Sequence, residues 1–161
     1  MIEIKNITKR FGDFTAVNNL SFSINPGEVV GFLGPNGAGK STTMKMITGF
    51  LEASEGEIQV AGFDIKQDPL SIKQQIGYLP EGAPAYGDMT PAQFLNFIAD
   101  VRGLKGRKKQ ARIARVIKSV ELQSVLDRPI DNLSKGFKRR VGLAQAILHD
   151  PKVLILDEPT D

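Results

Sequence analysis

The sequence predicts an α/β fold: a mainly parallel sheet with an antiparallel β part at its N-terminus and an inserted helical subdomain. Three observations carry this. The opening thirty or so residues alternate apolar and polar. An apolar run, Val29–Leu33, then leads through a glycine-rich stretch into helical periodicity. Finally, a block of amphipathic helices gives way to a second apolar run, Val153–Leu156. A short apolar run is what a strand covered on both faces requires, whereas alternation marks a strand with one wet face.

The elements follow in order. Ile2–Thr8 and Asn19–Ile24 alternate, and Pro26-Gly27-Glu28 supplies a turn. Val29–Leu33 reads as an apolar strand, followed by a helix from about Lys40 to Thr48 that Gly49 can end. Glu57–Val60 and Ile76–Leu79 read as short strands, with the segment Asp64–Gln75 between them undetermined. From Thr90 the period becomes helical: Thr90 suits an N-cap, Pro91 the first helical position, and Phe94, Phe97, Ile98 and Val101 form an apolar stripe. A second helix, about Lys108–Val120, presents Ile113, Val116, Ile117 and Val120 on one face, and a short one covers Leu122–Leu126. The last begins after Ser134, carries Phe137, Val141, Ala144 and Leu148, and is stopped by Pro151; Lys152–Asp157 is the final strand. Residues 1–161 form one domain in this reading, with the helical subdomain over about 88–150. The chain stops just after a strand that ends in two carboxylates, so the reading expects a domain incomplete at its C-terminus.

Composition narrows the class. With 41% hydrophobic and 24% charged residues the chain is ordinary for a globular protein. No window approaches a membrane span, and Met1-Ile2-Glu3-Ile4-Lys5 lacks a signal-peptide pattern. The absence of cysteine rules out disulfides and Cys-held metal, as a cytosolic protein would allow. A net charge of +3 permits an anionic ligand without demanding nucleic acid.

Gly34-Pro35-Asn36-Gly37-Ala38-Gly39-Lys40-Ser41 spells G-x-x-x-x-G-K-[ST] in full, after an apolar run and before a helix. Glycines let backbone N–H groups approach oxygen atoms with no side chain intervening, and the helix adds partial positive charge at its N-terminus. The pattern predicts a P-loop NTPase core in which Lys40 reaches the β- and γ-phosphates and the Ser41 hydroxyl ligates Mg²⁺. At the far end, Asp157 and Glu158 follow the last strand, at the carboxyl edge where open α/β sheets bind ligands. Asp157 is the candidate magnesium holder there, and Glu158 the candidate base that polarises water for attack on the γ-phosphate. Two ordinary carboxylates at a solvated strand end are the plainer alternative.

The loop, Leu133-Ser134-Lys135-Gly136-Phe137 and Val153–Thr160, in this order and with a helical block between, resemble the ATP-binding domains of ABC transporters across the whole chain. The opening Ile4-Lys5-Asn6-Ile7-Thr8-Lys9-Arg10-Phe11-Gly12 is similar to that family's start. The resemblance implies ATP and Mg²⁺ as ligands, with Phe11 stacking on adenine and Val17 beside it. Gly34, Pro35, Asn36, Gly37, Ala38, Gly39, Lys40, Ser41 and Thr42 would surround the phosphates. Ser41, Glu81 and Asp157 would serve the metal, and Lys40 and Glu158 catalysis. Ser134 and Gly136 would contact the nucleotide held by a second, identical domain, since the family's Leu-Ser-Gly-Gly-Gln opens a helix facing that γ-phosphate. Lys135 and Phe137 depart from that pattern, and Glu81 stands in Ile76-Gly77-Tyr78-Leu79-Pro80-Glu81 where the family usually has Gln. Glu still accepts from water or metal but cannot donate when ionised.

These departures resemble stand-alone ATPase chains of bacterial multidrug and gliding-motility exporters. They imply a cytoplasmic, ATP-hydrolysing subunit, peripheral at the inner face of the membrane, with a transmembrane permease and a second ATPase domain as partners and no nucleic acid. A soluble ABC ATPase of translation or DNA repair, a metabolic kinase on the same loop, and a fragment that binds without hydrolysing remain alternatives. His149 reads as an ordinary helix-terminal residue. The basic run Lys105, Arg107, Lys108, Lys109, Arg112, Arg115 and Lys118 reads as a solvated helix face, or as one turned to an anionic membrane or acidic partner.

Overall fold

The computed structural model describes residues 1–82 and 85–158. The chain divides into two compact units, Met1–Ile76 and Gly77–Asp161.

In the first unit, strands β1 (Ile2–Phe11) and β2 (Phe14–Ile24) form an antiparallel hairpin, with Ile2 opposite Ile24 and Phe11 opposite Phe14. Strand β3 (Glu55–Val60) pairs on the other side of β1, and the two-residue β4 (Phe63–Asp64) closes the order β2-β1-β3-β4. Alternation turns Ile2, Ile4, Ile58 and Val60 inward, and an irregularity in the β1 register after Ile4 brings Ile7 in as well; all are buried, as are Met46 and Ile47 of helix α1 (Lys40–Ile47) and Ile72 of helix α2 (Pro69–Gln75). Removing such side chains from water is worth roughly 1.5–3 kcal/mol each. Helix α2 occupies the stretch the sequence left undetermined. Asp68 is its N-cap, accepting a hydrogen bond from the Ser71 backbone N–H at 3.1 Å, and Pro69 fills its first position.

One expectation is overturned. Val29–Leu33 belongs to no strand among the described residues; Val29 is 100% and Leu33 95% exposed. An apolar run states a tendency to burial, but a strand exists only where ladder partners take its N–H and C=O groups. The four-stranded sheet does not include it, and the other sheet is completed by two different strands.

That second sheet lies in the second unit, where β5 (Ile76–Leu79) and β6 (Val153–Leu156) form a parallel pair. Between them come helices α3 (Pro91–Val101), α4 (Gly106–Ser119) and α5 (Lys135–Ile147). Helix α3 starts with a capping box. Thr90 Oγ1 accepts from Gln93 N at 3.3 Å, and Gln93 Oε1 accepts from Thr90 N at 2.9 Å. Its buried face is Phe94, Leu95 and Ala99, with Ile98 at the margin, so the expected stripe is half right: Phe97 and Val101 are exposed. Val116 of α4 and Val141, Ala144 and Leu148 of and after α5 belong to the same core, with Leu122, Val125, Ile130 and Leu133 from the segment between these helices. The expected Leu122–Leu126 helix is a single 3₁₀ turn, Gln123–Val125. Gly77 lets β5 touch the end of α5, because a Cβ there would lie 2.1 Å from the Ala146 carbonyl oxygen.

Candidate functional site

The phosphate loop lies on the first unit. Gly34–Ala38 are exposed, and Gly39, Lys40, Ser41 and Thr42 are half-buried. Gly39 is the N-cap of α1 with φ 82° and ψ 7°, a left-handed conformation that turns the chain from loop into helix. No side chain caps this end, and the first turn holds no acidic residue. The start of α1 thus offers backbone N–H groups and the positive end of the helix dipole with no acidic side chain in its own first turn, which suits an anion. Thr43, buried behind the loop, donates its backbone N–H to the Gly39 carbonyl at 2.8 Å and starts the helical ladder.

Lys40 arches over the loop. Its Nζ donates to the carbonyl oxygens of Gly34 at 2.7 Å and Pro35 at 2.8 Å. These bonds hold the ammonium at the mouth of the loop, so the cation sits where phosphate oxygens would arrive. The residues present thus fit a nucleotide's phosphate chain: an uncapped helix start, a positive helix end and a poised ammonium.

Val17 is buried in β2 and packs under the loop, its Cγ2 3.0 Å from where a Gly39 Cβ would stand. Phe11 closes β1 at the hairpin end, 49% exposed, with Lys9 Nζ 5.1 Å from its ring centroid. It is an available ring face rather than a core phenylalanine. Phe14, its cross-strand partner, is more exposed still, a second aromatic that nothing local in the sequence marks.

The second unit carries the carboxylates. The Asp157 N–H donates to the Leu79 carbonyl at 2.9 Å, which brings the carboxyl ends of β5 and β6 to one edge. Asp157 is only 4% exposed, whereas Glu158, one residue on, is exposed with φ 49°. Glu81 follows Leu79 and Pro80 in an exposed turn at this edge. Burial pushes the Tyr78 hydroxyl up from its ordinary pKa, and the Asp157 charge pushes it further. Tyr78 is also held at its backbone, where Gln145 Nε2 donates to its carbonyl at 2.8 Å. Neither contact was legible in sequence, because each joins elements far apart in the chain. A buried carboxylate at a sheet edge suits a hard cation such as Mg²⁺. Among the described residues no group of three or more His, Asp and Glu clusters as a self-sufficient metal site.

Ser134 is the N-cap of α5, its Oγ accepting from Phe137 N at 3.4 Å. Gly136 lies in the exposed first turn, and a Cβ added there would meet nothing within 4 Å. This is a second exposed helix start without an acid in its first turn. His149 follows the end of α5, and the hydrogen bond with Arg112 holds the neighbouring Asp150 carboxyl below its ordinary pKa.

Comparison with known proteins places this geometry. The family described as ABC transporter matches residues 17–161. The chain belongs to that family. It is 42% identical over 160 residues to the "Probable multidrug ABC transporter ATP-binding protein YbhF" of Escherichia coli, covering 99% of this chain and 28% of that protein. It is 39% identical to the "Linearmycin resistance ATP-binding protein LnrL" of Bacillus subtilis, over 99% of this chain and 51% of that one. The chain therefore spans about half the length, or less, of such relatives. Among solved structures, an ATP-binding subunit of an ABC transporter superposes with TM-score 0.89 at 30% identity, covering 98% of this chain and 66% of the other. A dimeric cassette, MJ0796, bound to ADP and Pi, gives TM-score 0.89 at 25% identity over 99% of this chain and 75% of that one. The fold is that of the ABC ATPase domain, a P-loop NTPase.

Proposed function

We propose that this chain is the nucleotide-binding part of an ATP-hydrolysing subunit that drives an ABC-type membrane exporter. The observation that carries the reading is the loop at residues 34–41, where the uncapped N-terminus of α1 and the Lys40 ammonium converge. The names of the relatives, which speak of multidrug transport, linearmycin resistance and Nod factor export, favour export.

In this reading the loop amides and Lys40 grip the β- and γ-phosphates of ATP, and Phe11 offers its ring to adenine. Ser41, Asp157 and Glu81 are the ligands proposed for Mg²⁺, which would neutralise phosphate charge. Glu158 accepts a proton from water as its oxygen bonds to the γ-phosphorus, and the bond from that phosphorus to the ADP oxygen breaks. Ser134 and Gly136 serve the nucleotide of a second copy, so two ATPase domains close around shared γ-phosphates and reopen once these are cleaved. The partners are that second domain and a transmembrane permease, and the place of work is the cytoplasmic face of the membrane. The domain reading, one ATPase domain with a helical subdomain over about 88–150, belongs to the same proposal.

Titration of the purified chain with MgATP tests the reading. Micromolar binding is expected, weakened at least about tenfold by Lys40→Ala through loss of a charge-assisted contact. Unchanged affinity in that variant would overturn it. A phosphate-release assay run alongside separates hydrolysis from binding alone.

A further inference from the structure

We propose that the exposed face of α4 docks on an anionic lipid surface. The helix Gly106–Ser119, GRKKQARIARVIKS, carries six Lys or Arg residues and no acid. Its apolar stripe is spent on the core: Val116 is buried, and Ile113 and Ile117 pack against the same cluster. The basic face is thereby fixed outward along a helix about 21 Å long.

The acids bordering α4 compensate only part of that charge: two of them pair with cations of the helix and a third is engaged elsewhere. Asp100 accepts from Lys109 Nζ at 2.7 Å, Asp150 pairs with Arg112, and Glu121 pairs with Arg140 of α5 at 3.1 Å. Arg115 lends its field to Asp150 as well. Lys105, Arg107, Lys108 and Lys118 remain exposed and make no ion pair among the described residues.

The character of the surface chooses the partner. The uncharged positions between these cations are Gln110, Ala111, Ala114 and Ser119, all exposed and none an anchor. A protein interface needs a desolvated core of large side chains, and single-stranded nucleic acid needs stacking rings. A fluid sheet of phosphate headgroups needs neither; it answers to the number of cations within a Debye length. Docking through α4 takes its setting from the membrane-peripheral role proposed above. It is read out without nucleotide, so each can fail while the other stands.

The test is co-sedimentation of the purified chain with vesicles of phosphatidylcholine containing about a third phosphatidylglycerol. The triple variant Arg107→Gln, Lys108→Gln, Lys118→Gln is compared with a charge-matched control, Lys5→Gln, Lys45→Gln, Lys152→Gln. Circular dichroism and MgATP titration confirm that both remain folded and bind nucleotide alike. The native chain and the control should bind, and the triple variant should bind about ten- to a hundredfold more weakly. Binding should vanish on pure phosphatidylcholine and at about 0.5 M salt. Equal binding by native and triple variant, or equal binding to neutral vesicles, overturns the proposal. So does α4-dependent binding to duplex DNA or to an acidic polypeptide with none to the anionic vesicles.

Discussion

The Cβ that any other residue would bring to position 39 would stand 2.5 Å from the carbonyl oxygen of Ala16 in β2. Gly39 thus answers two demands at once, a left-handed φ of 82° and a backbone pressed against the neighbouring strand. Gly37 has the same φ but nothing within 4 Å. The two glycines therefore make a controlled pair. Gly37→Ala should cost only the left-handed penalty, about 1–2 kcal/mol. Gly39→Ala adds displacement of the loop from β2 and should cost about 1–3 kcal/mol more. Urea unfolding measures the difference, and MgATP titration should show Gly39→Ala as the more damaging of the two. Equal unfolding midpoints would mean that the contact with Ala16 constrains nothing.

Gly136 behaves in the opposite sense. It lies in the first turn of α5 in open space, with no positive φ, so the fold has no use for a glycine there. Gly136→Ala should leave stability unchanged or raise it by about 0.5–1 kcal/mol, as glycine removal from a helix does. The proposed role predicts that the same variant impairs ATP-driven association of two copies, because a methyl group intrudes where a phosphate would approach. Thermal unfolding and light scattering with MgATP read the two effects separately. A variant that is more stable and still associates normally would remove Gly136 from the site.

Much of this was legible in sequence, where one local rule sufficed. The Gly34–Ser41 spelling carries its own geometry, and Thr90-Pro91 announces the start of α3 through the capping box it forms with Gln93. Legibility failed wherever the outcome depended on distant partners. Val29–Leu33 has the composition of a strand but no ladder in the described residues. Phe97 and Val101 continue the period of Phe94, yet the buried side of α3 is Phe94, Leu95 and Ala99, which share one core with residues of α4 and α5. The approach of Gly39 to Ala16 and the field of Asp157 on Tyr78 join residues with no common motif. Helix α2 escaped notice because its signal, Asp68-Pro69 followed by one short turn, is too brief for periodicity to register.

Acid should weaken the first unit through Asp68. The hydrogen bonds this carboxylate accepts from Ser71 hold its pKa below the usual 3.8. A folded pKa below the unfolded one means that ionised Asp68 stabilises the native state. That contribution is complete above the unfolded value and is lost as pH falls through the folded one. Asp68→Asn keeps a capping oxygen but cannot titrate, so its melting temperature should fall less steeply than the native chain's as pH drops below about 4. Parallel acid limbs in melts of the two proteins would show that the cap carries no pH dependence.

Glu158 offers the sharpest division between binding and chemistry. It is exposed and stands one residue beyond the buried Asp157, so its removal leaves the core of the second unit intact. Glu158→Gln keeps the shape and length of the side chain but takes away its capacity to accept a proton from water. In the intact subunit the variant should bind MgATP with unchanged affinity and hydrolyse it about a hundredfold or more slowly, the usual scale for a lost general base. Asp157→Asn, by contrast, should weaken the magnesium dependence of binding as well as turnover, since that carboxylate is proposed to hold the metal. The left-handed backbone at position 158, φ 49°, provides a control, because Glu158→Gly relieves it and should stabilise the chain while abolishing turnover. Phosphate release measured under saturating MgATP decides the matter, and undiminished turnover in Glu158→Gln would assign the proton to another group.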